Sequence, residues 1–211
     1  MGRIEDALQV PVRLDTDVNG AVLGEARWGA AKDLQDAVYI TIGTGIGGGA
    51  LVHGRVIHGL VHPEMGHLQI PHDPHDPFRG ICPYHADCFE GMASGPALQA
   101  RWGRRADELK PDHPGWLLEA HYIALALVNL TVTLSTRRFL LGGGVMQQPH
   151  LITLVRREFS ALLKGYVRHD DILNRIDKYI QRPQLEYPGV LGALVLAEEA
   201  ANEKPAQGAR T

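Results

Sequence analysis

The sequence predicts an α/β layered fold, in which helices pack on a sheet. Two apolar segments support this prediction: Ala37 to Ile42 is rich in β-branched residues, and Arg138 to Leu141 is a shorter buried strand. Each segment runs into glycines, Gly43 after the first and Gly142-Gly143-Gly144 after the second. Longer stretches, with apolar residues at three- and four-residue spacing, are predicted to be helices. Strands that alternate with helices and end in glycine turns are typical of layered α/β proteins.

The other elements follow in chain order. The first residues predict the end of a helix at Ile4 to Leu8, a short strand at Val10 to Leu14, and a helix at Val18 to Arg27. Gly48 to Val52 and Arg55 to His58 are expected to pair as a hairpin around His53-Gly54. Four more helices are predicted from caps and periodicity, at Ser94 to Arg101, Trp116 to Ser135, His150 to Leu163 and Leu191 to Asn202.

The composition is that of an ordinary globular protein. Apolar residues make up 45% of the 211 residues, charged residues make up 21%, and the formal net charge is −3. Lysine and arginine are scattered, so we expect no nucleic-acid partner. No apolar run is expected to reach the length of a membrane span, and the N-terminus has no secretory hydrophobic region. We therefore expect a cytoplasmic protein with no membrane partner, and a disordered polar tail over residues 203–211.

The first glycine run has the composition of an anion-binding turn. It follows a predicted strand, and its glycines would let backbone N–H groups approach an anion closely, with Thr44 adding a hydroxyl donor. It is not a P-loop, because no Gly-Lys-Ser/Thr follows, and no helix opens where a dinucleotide-binding turn needs one. From the residues themselves, a tight glycine hairpin without a ligand remains an equal alternative.

Two carboxylates stand where the strand before the first long helix would end. Asp15 and Asp17 flank Thr16, and Asn19 follows. One aspartate at such a junction is explained by helix capping, which leaves the second redundant. The second carboxylate is therefore a candidate acid or base for proton transfer.

Histidine and cysteine converge on one polar segment. His67, Cys82, His85 and Cys88 form the pattern H-x14-C-x2-H-x2-C, and two thiolates with two imidazoles suit a closed tetrahedral zinc site. The segment has too few apolar residues to order itself, which favours a structural metal over two free cysteines. His72 and His75 are competing ligands that the spacing does not exclude.

The stretch from Ile42 to His67 resembles the signature of the ROK family of sugar kinases. The matching positions are Gly45-Ile46-Gly47-x-Gly49-Ala50, Gly59, Pro63 and Gly66-His67. The Asp-Thr-Asp-Val-Asn-Gly-Ala sequence from Asp15 is similar to the fructokinase branch. The resemblance covers about residues 10–200 and implies the two-lobed, actin-like (ribonuclease-H-like) kinase fold, ATP and Mg²⁺ as cofactors, and a homodimer.

The resemblance also implies a set of site residues. Asp17 would be the catalytic base that accepts the proton of the sugar hydroxyl, which leaves Asp15 to cap the helix, and Zn²⁺ would be structural. The substrate-binding residues would be Asn19, Glu64, His67 and Glu90. The phosphate-binding residues would be Thr44, Gly45 and Gly47, and the adenosine motif would be Gly142, Gly143 and Gly144.

These features together predict ATP-dependent phosphorylation of a hexose, with D-fructose favoured. A glucokinase or mannokinase, or a non-catalytic zinc-stabilised sugar-binding module, is the alternative. The family's first phosphate-binding motif, Asp-x-Gly-Gly-Thr, does not occur. We therefore expect a truncated chain with low activity by itself, divided into a remnant of the first lobe (residues 1–35) and a second lobe (36–202) with its zinc loop (67–88).

Overall fold

The structure is a computed structural model that describes residues 2–202. It is built on one five-stranded sheet with helices on both faces. The strands are β1 Ala37–Ile42, β2 Ile46–Val52, β3 Arg55–Val56, β4 Phe139–Gly142 and β5 Ile180–Gln181. The helices are α1 Gly2–Leu8, α2 Asp17–Trp28, α3 Phe89–Ala93, α4 Gly95–Trp102, α5 Gly115–Leu134, α6 Leu151–Leu163, α7 Asp170–Leu173, α8 Ile176–Tyr179 and α9 Pro188–Asn202.

The sheet has the order β3-β2-β1-β4-β5. β1 is antiparallel to β2 and parallel to β4, and β5 continues the parallel half. Side chains alternate between the faces of β1, so Val38 and Ile40 belong to the larger core under α3, α5 and α6, whereas Tyr39 belongs to the smaller core under α2 and α9. The glycine turns after β1 and β4 lie side by side, because both strands end at the same edge of the sheet.

Most predicted elements are confirmed, but the strand predicted at Val10 to Leu14 is wrong. That segment forms no strand; Val10 and Leu14 are 51% and 61% exposed, and no strand within residues 2–202 pairs with it. The hairpin is confirmed: β2 and β3 pair around His53 and Gly54, whose φ angles are 52° and 74°. Two positive φ angles are what a two-residue turn of the favoured hairpin type requires.

Helix α5 corrects the expectation about membrane-spanning segments. The helix has 20 residues, and an 18-residue stretch of it has a mean hydropathy of 1.6, so the helix is long and apolar enough for a span by length and composition. Half of this stretch is nevertheless buried inside the protein, where the helix packs on α3 and α6. Glu119 and Tyr122 of α5 are among the fully buried residues. Burial against other elements is what a core helix of an α/β fold shows.

The proposed division at residue 35 crosses a packed unit. Helix α2 lies on β1 and β2 and makes its most extensive contact with α9, at the other end of the chain. Gly24 and Gly192 let these helices approach closely, since a Cβ at either position would overlap the backbone of the other helix. The division into lobe segments therefore stays a prediction, and the predicted disordered tail lies outside the described residues.

Candidate active site and metal centre

The four predicted metal ligands meet in one place. The ligand atoms of His67, Cys82, His85 and Cys88 all lie within 4.8 Å of one another. Nδ1 of His67 is 3.7 Å from Sγ of Cys82 and 3.5 Å from Sγ of Cys88, and Nδ1 of His85 is 3.8 Å from Sγ of Cys82. A tetrahedral zinc ion, with bonds of about 2.3 Å to sulfur and about 2.0 Å to nitrogen, sets sulfur and nitrogen about 3.5 Å apart. The geometry fits zinc.

The two thiols of the cluster differ in the direction in which their pKa values are shifted. Burial raises the pKa of Cys88 to about 11, and the neighbouring Cys82 adds to this effect. Burial also opposes ionisation of Cys82, but backbone N–H groups of Tyr84 and His85 outweigh it and lower the pKa of that thiol. The pair therefore favours one thiolate, on Cys82, which is the form that binds a metal.

The two competing histidines are engaged or exposed elsewhere. Nε2 of His72 lies 2.9 Å from the carbonyl oxygen of Asp76, and its Nδ1 lies 3.4 Å from the Asp87 carboxylate. His75 is exposed in the turn, where its backbone N–H donates to Asp73. Among the described residues, neither histidine joins the ligand cluster.

A buried arginine holds the segment between the first two ligands. Arg101 on α4 pairs with Asp76 at 3.3 Å, and its guanidinium lies 4.5 Å from the ring centre of Phe78 and 5.5 Å from that of Tyr122. The Tyr122 hydroxyl donates to Asp76 at 2.8 Å. These protein contacts order the polar segment alongside any metal. The sequence did not indicate them.

His67 also faces the carboxylate of Glu90. Nε2 of His67 is 4.0 Å from Oε1 of Glu90, while Oε2 accepts from the backbone N–H of Ile46 at 2.8 Å. The opposite ring nitrogen, Nδ1, is the one directed at the thiols. A metal held at Nδ1 would fix the orientation of the ring and leave Nε2 for another partner. Gly66 allows this approach, since a Cβ there would overlap the carbonyl of Ile46.

The first glycine turn leaves donors for an anion. The N–H of Gly43 donates to Gly45 at 2.9 Å, and its carbonyl accepts from Gly95 at 2.7 Å. Within residues 2–202, the N–H groups of Thr44 and Gly45 donate to no protein group. Adjacent unpaired N–H groups in a turn are able to bind an anion.

A cleft of about 510 Å³ opens beside this turn. The second glycine turn borders it, and Gly143 adopts a φ of 91°, a conformation that favours glycine. The far wall of the cleft comes from α4 and from the turn after it, and it was not predicted from the sequence, where Pro96 near the start of α4 was its signal. The lining residues are Gly43, Thr44, Gly95, Pro96, Gln99, Arg105, Ala106, Asp107, Gly144, Val145 and Gln147.

The start of α2 approaches the same region across β2. Asp17 is exposed on the first turn, and the backbone of Val18 and Asn19 contacts Gly49, where a Cβ would overlap it. The prediction that Asp15 caps α2 is wrong, because the side chain of Thr16 accepts from the N–H of Asn19 at 3.2 Å.

Asp15 instead binds side chains. Its Oδ1 accepts from Nδ2 of Asn19 at 2.7 Å, and its Oδ2 is 3.0 Å from Nε2 of His58. Burial acts to raise the pKa of Asp15, but hydrogen bonds from Asn19, Thr16 and His58 outweigh it and hold this pKa below its usual value.

Glu64 stands apart from the other predicted sugar contacts. It precedes the single helical turn Met65–His67, its side chain is 59% exposed, and Oε1 lies 2.9 Å from Nε2 of His62. The structure therefore brings together His67 and Glu90, whereas the exposed Glu64 pairs its carboxylate with the imidazole of His62. Its predicted contact with sugar stays a prediction.

Comparison with known proteins identifies the group to which this chain is related. The sequence profile of the ROK family matches residues 1–200. The chain belongs to the ROK family. It is 45% identical over 206 residues to a putative fructokinase of Bacillus subtilis (strain 168), covering 97% of this chain and 69% of that protein. It is 42% identical over 200 residues to a fructokinase of Lactococcus lactis subsp. cremoris, covering 93% of this chain and 67% of the relative.

The architecture of this ROK protein agrees with a solved structure. The crystal structure of a ROK hexokinase from Thermus thermophilus superposes with a TM-score of 0.77 and 28% identity, covering 93% of this chain and 68% of that one. The prediction of the actin-like sugar kinase fold is thus confirmed, and so is the resemblance to the ROK family. The chain spans about two thirds of the length of the relatives that it matches.

Proposed function

We propose that this ROK protein transfers the γ-phosphoryl group of ATP to a hexose, with D-fructose as the preferred substrate and fructose 6-phosphate as the product. The observation that carries the proposal is that the Glu90 carboxylate lies between the glycine turn and the four-residue His/Cys cluster. One oxygen of its carboxylate binds the N–H of Ile46 in the glycine turn, and the other faces His67 of the metal centre. The names of the relatives at 42–45% identity support fructose.

Asp17 has the role of the general base in this proposal. Its carboxylate would accept the proton of the attacking sugar hydroxyl, whose oxygen forms a bond to the γ-phosphorus. The bond between that phosphorus and the bridging oxygen of ADP breaks in the same displacement, and ADP leaves. The exposed position of Asp17 on the first turn of α2 keeps it accessible to substrate.

The glycine turns would bind the phosphates. The N–H groups of Thr44 and Gly45 are the available donors, and Gly47, Gly142, Gly143 and Gly144 let the backbone border the nucleotide. Such preorganised donors stabilise charge that develops on the transferred group. Mg²⁺ would arrive with the ATP phosphates, where it neutralises part of their charge.

The four-ligand cluster would hold structural Zn²⁺. All four positions come from protein, so the ion would leave no open site for water activation. Its contribution would be to fix His67, whose Nε2 can then bind a sugar hydroxyl beside Glu90, with Asn19 and Glu64 as further contacts. A cytoplasmic homodimer is part of the same proposal, on the basis of the family resemblance.

The experiment is a pair of measurements on the purified protein. Calorimetry with D-fructose, D-glucose and D-mannose should show tightest binding of fructose, and a coupled assay with ATP and Mg²⁺ should show ADP formation that depends on fructose. Asp17→Asn should keep fructose binding but lower turnover by roughly 10²-fold or more, the scale of general-base loss. Tightest binding of glucose or mannose would overturn the choice of fructose. Binding of no hexose at all would overturn the proposal.

A further inference from the structure

The carboxylate of Asp15 is almost buried, and both of its oxygens have hydrogen-bond partners. Its side chain is only 6% exposed, and Oδ1 accepts from the N–H of Thr16 at 2.8 Å and from Nδ2 of Asn19 at 2.7 Å. Oδ2 lies 3.0 Å from Nε2 of His58, in the segment after β3. One side chain therefore joins the first turn of α2 to a segment that leads on to Pro63 and the metal ligand His67.

Capping does not explain this buried charge. Thr16 caps α2 through the N–H of Asn19, and the Asp17 carboxylate accepts from the N–H of Val18 at 2.9 Å. The N–H groups of Val18 and Asn19 are thus served without Asp15. Removing a carboxylate from water is costly unless its hydrogen bonds compensate, so the compensation must come from Asn19 and His58 as well as Thr16.

The hydrogen bond between Asp15 and Asn19 determines which end of the Asn19 side-chain amide faces Asp15. An ionised carboxylate only accepts hydrogen bonds, so Asn19 must present its NH₂ group to Asp15 and direct its carbonyl oxygen elsewhere. Asn19 is 1% exposed, which leaves little water to compete for either end of the amide. With no acceptor at position 15, the amide would be free to turn by 180° and exchange its oxygen for its nitrogen.

We propose that Asp15 is a positioning residue for the sugar site. It sets the amide of Asn19 so that an acceptor rather than a donor serves the substrate, and through His58 it holds the segment after β3 against α2. This inference rests on the proposed fructose site, in which Asn19 is a contact. An acceptor at Asn19 receives a hydrogen bond from a sugar hydroxyl, so Asp15 contributes to substrate binding without touching the substrate.

The test compares three variants. Asp15→Leu keeps the number and branching of the side-chain heavy atoms and removes both acceptors, Asp15→Asn keeps one oxygen acceptor, and Asp112→Leu changes an exposed aspartate in the loop before α5. We expect Asp15→Leu to weaken fructose binding roughly tenfold, the effect of one hydrogen bond to a ligand, with nucleotide affinity unchanged. Asp15→Asn should restore most of the lost affinity, and Asp112→Leu should bind as the wild type does.

A second measurement is independent of sugar. Solvent exchange of the Asn19 side-chain amide protons, assigned by their loss in Asn19→Leu, should be slow in the wild type and in Asp15→Asn, and fast in Asp15→Leu. Should Asp15→Leu unfold, Asn19→Asp, which sets a second acceptor opposite Asp15, should give the same loss of fructose affinity. Fast exchange in the wild type would overturn the inference. So would wild-type fructose affinity in a folded Asp15→Leu. Slow exchange in a wild type that binds no hexose would overturn the fructose site and the assignment of Asp15 to it, while the amide contact stands.

Discussion

Glu90 accepts a hydrogen bond from the backbone N–H of Ile46 at 2.8 Å. The relationship depends on the glycine next to Ile46, since a Cβ at Gly45 would lie 2.8 Å from the same carboxylate oxygen. The other oxygen of Glu90 is 4.0 Å from Nε2 of His67. One carboxylate therefore joins the glycine turn beside the cleft to His67 of the four-residue His/Cys cluster.

This link predicts the effect of Glu90→Gln. The amide oxygen of glutamine can still accept from Ile46, so the melting temperature should change little. The charge that orients sugar hydroxyls is lost, and fructose affinity should fall by about tenfold or more, as expected for hydrogen bonds to a charged group. Calorimetry checks the affinity, with Glu186→Gln, an exposed glutamate, as the control. Unchanged fructose affinity in Glu90→Gln would remove Glu90 from the sugar site.

Two neighbouring glycines in the second turn should respond differently to alanine. Gly143 has a φ of 91°, and a Cβ there would overlap the backbone of Ile42, whereas a Cβ at Gly144 would meet nothing within 4 Å. Gly143→Ala should destabilise the fold by about 1–3 kcal/mol. Gly144→Ala should fold normally yet weaken ATP binding, because its methyl group enters the cleft. Urea unfolding and nucleotide titration measure the two effects. Full ATP affinity in Gly144→Ala would show that the nucleotide binds elsewhere.

Arg101 should matter to the metal loop although it lies outside the ligand cluster. Arg101→Met keeps an apolar stem beside Phe78 and Tyr122 but leaves the buried Asp76 without its cation. Loss of one partner of a buried pair typically costs about 3–5 kcal/mol, so unfolding should occur at lower urea concentration. Zinc affinity should fall as well, because the segment between His67 and Cys82 loosens. Arg79→Met, an exposed change in the same segment, is the control. Equal stability of the two variants would contradict this role.

The buried Glu119 should make stability depend on pH. Burial raises the pKa of Glu119 well above its usual value, and the charge of Arg101 opposes this only in part. Because the pKa of Glu119 is higher in the folded state than in the unfolded state, the stability that this shift contributes is fully present below the unfolded pKa of about 4.3. This stability is lost as pH rises through the folded pKa. Glu119→Gln should remove that loss, so its advantage in unfolding free energy over the wild type should grow with pH. A constant difference across pH would contradict a protonated Glu119.

Much of the fold could be predicted because local patterns agreed with tertiary packing. The strand at Ala37 to Ile42, the cap at Ser94 and the hairpin at His53-Gly54 each have a short-range cause in residue type. The strand predicted at Val10 to Leu14 was wrong because a strand also needs a partner, which no local pattern supplies.

The same distinction between local patterns and tertiary contacts applies to the candidate site. The cluster of His67, Cys82, His85 and Cys88 could be predicted from spacing, since three of the four residues lie within one short segment. The Arg101–Asp76 pair and the Asp15–His58 contact could not, because their partners are 25 and 43 residues apart and meet only through the arrangement of helices on the sheet. The capping role of Asp15 was wrong for a related reason, as the neighbouring Thr16 competes for the same backbone donor.

If a metal held by His67, Cys82, His85 and Cys88 orients His67 toward the sugar, fructose binding must depend on that metal. Fructose calorimetry on the zinc-loaded protein and on Cys82→Ser tests it most directly, with metal content measured on the same samples and His75→Asn as the control. We predict about one zinc per chain in the wild type and in His75→Asn, less in Cys82→Ser, and fructose affinity at least about tenfold lower in Cys82→Ser than in the other two. Equal fructose affinity in a folded, zinc-free Cys82→Ser would contradict the account.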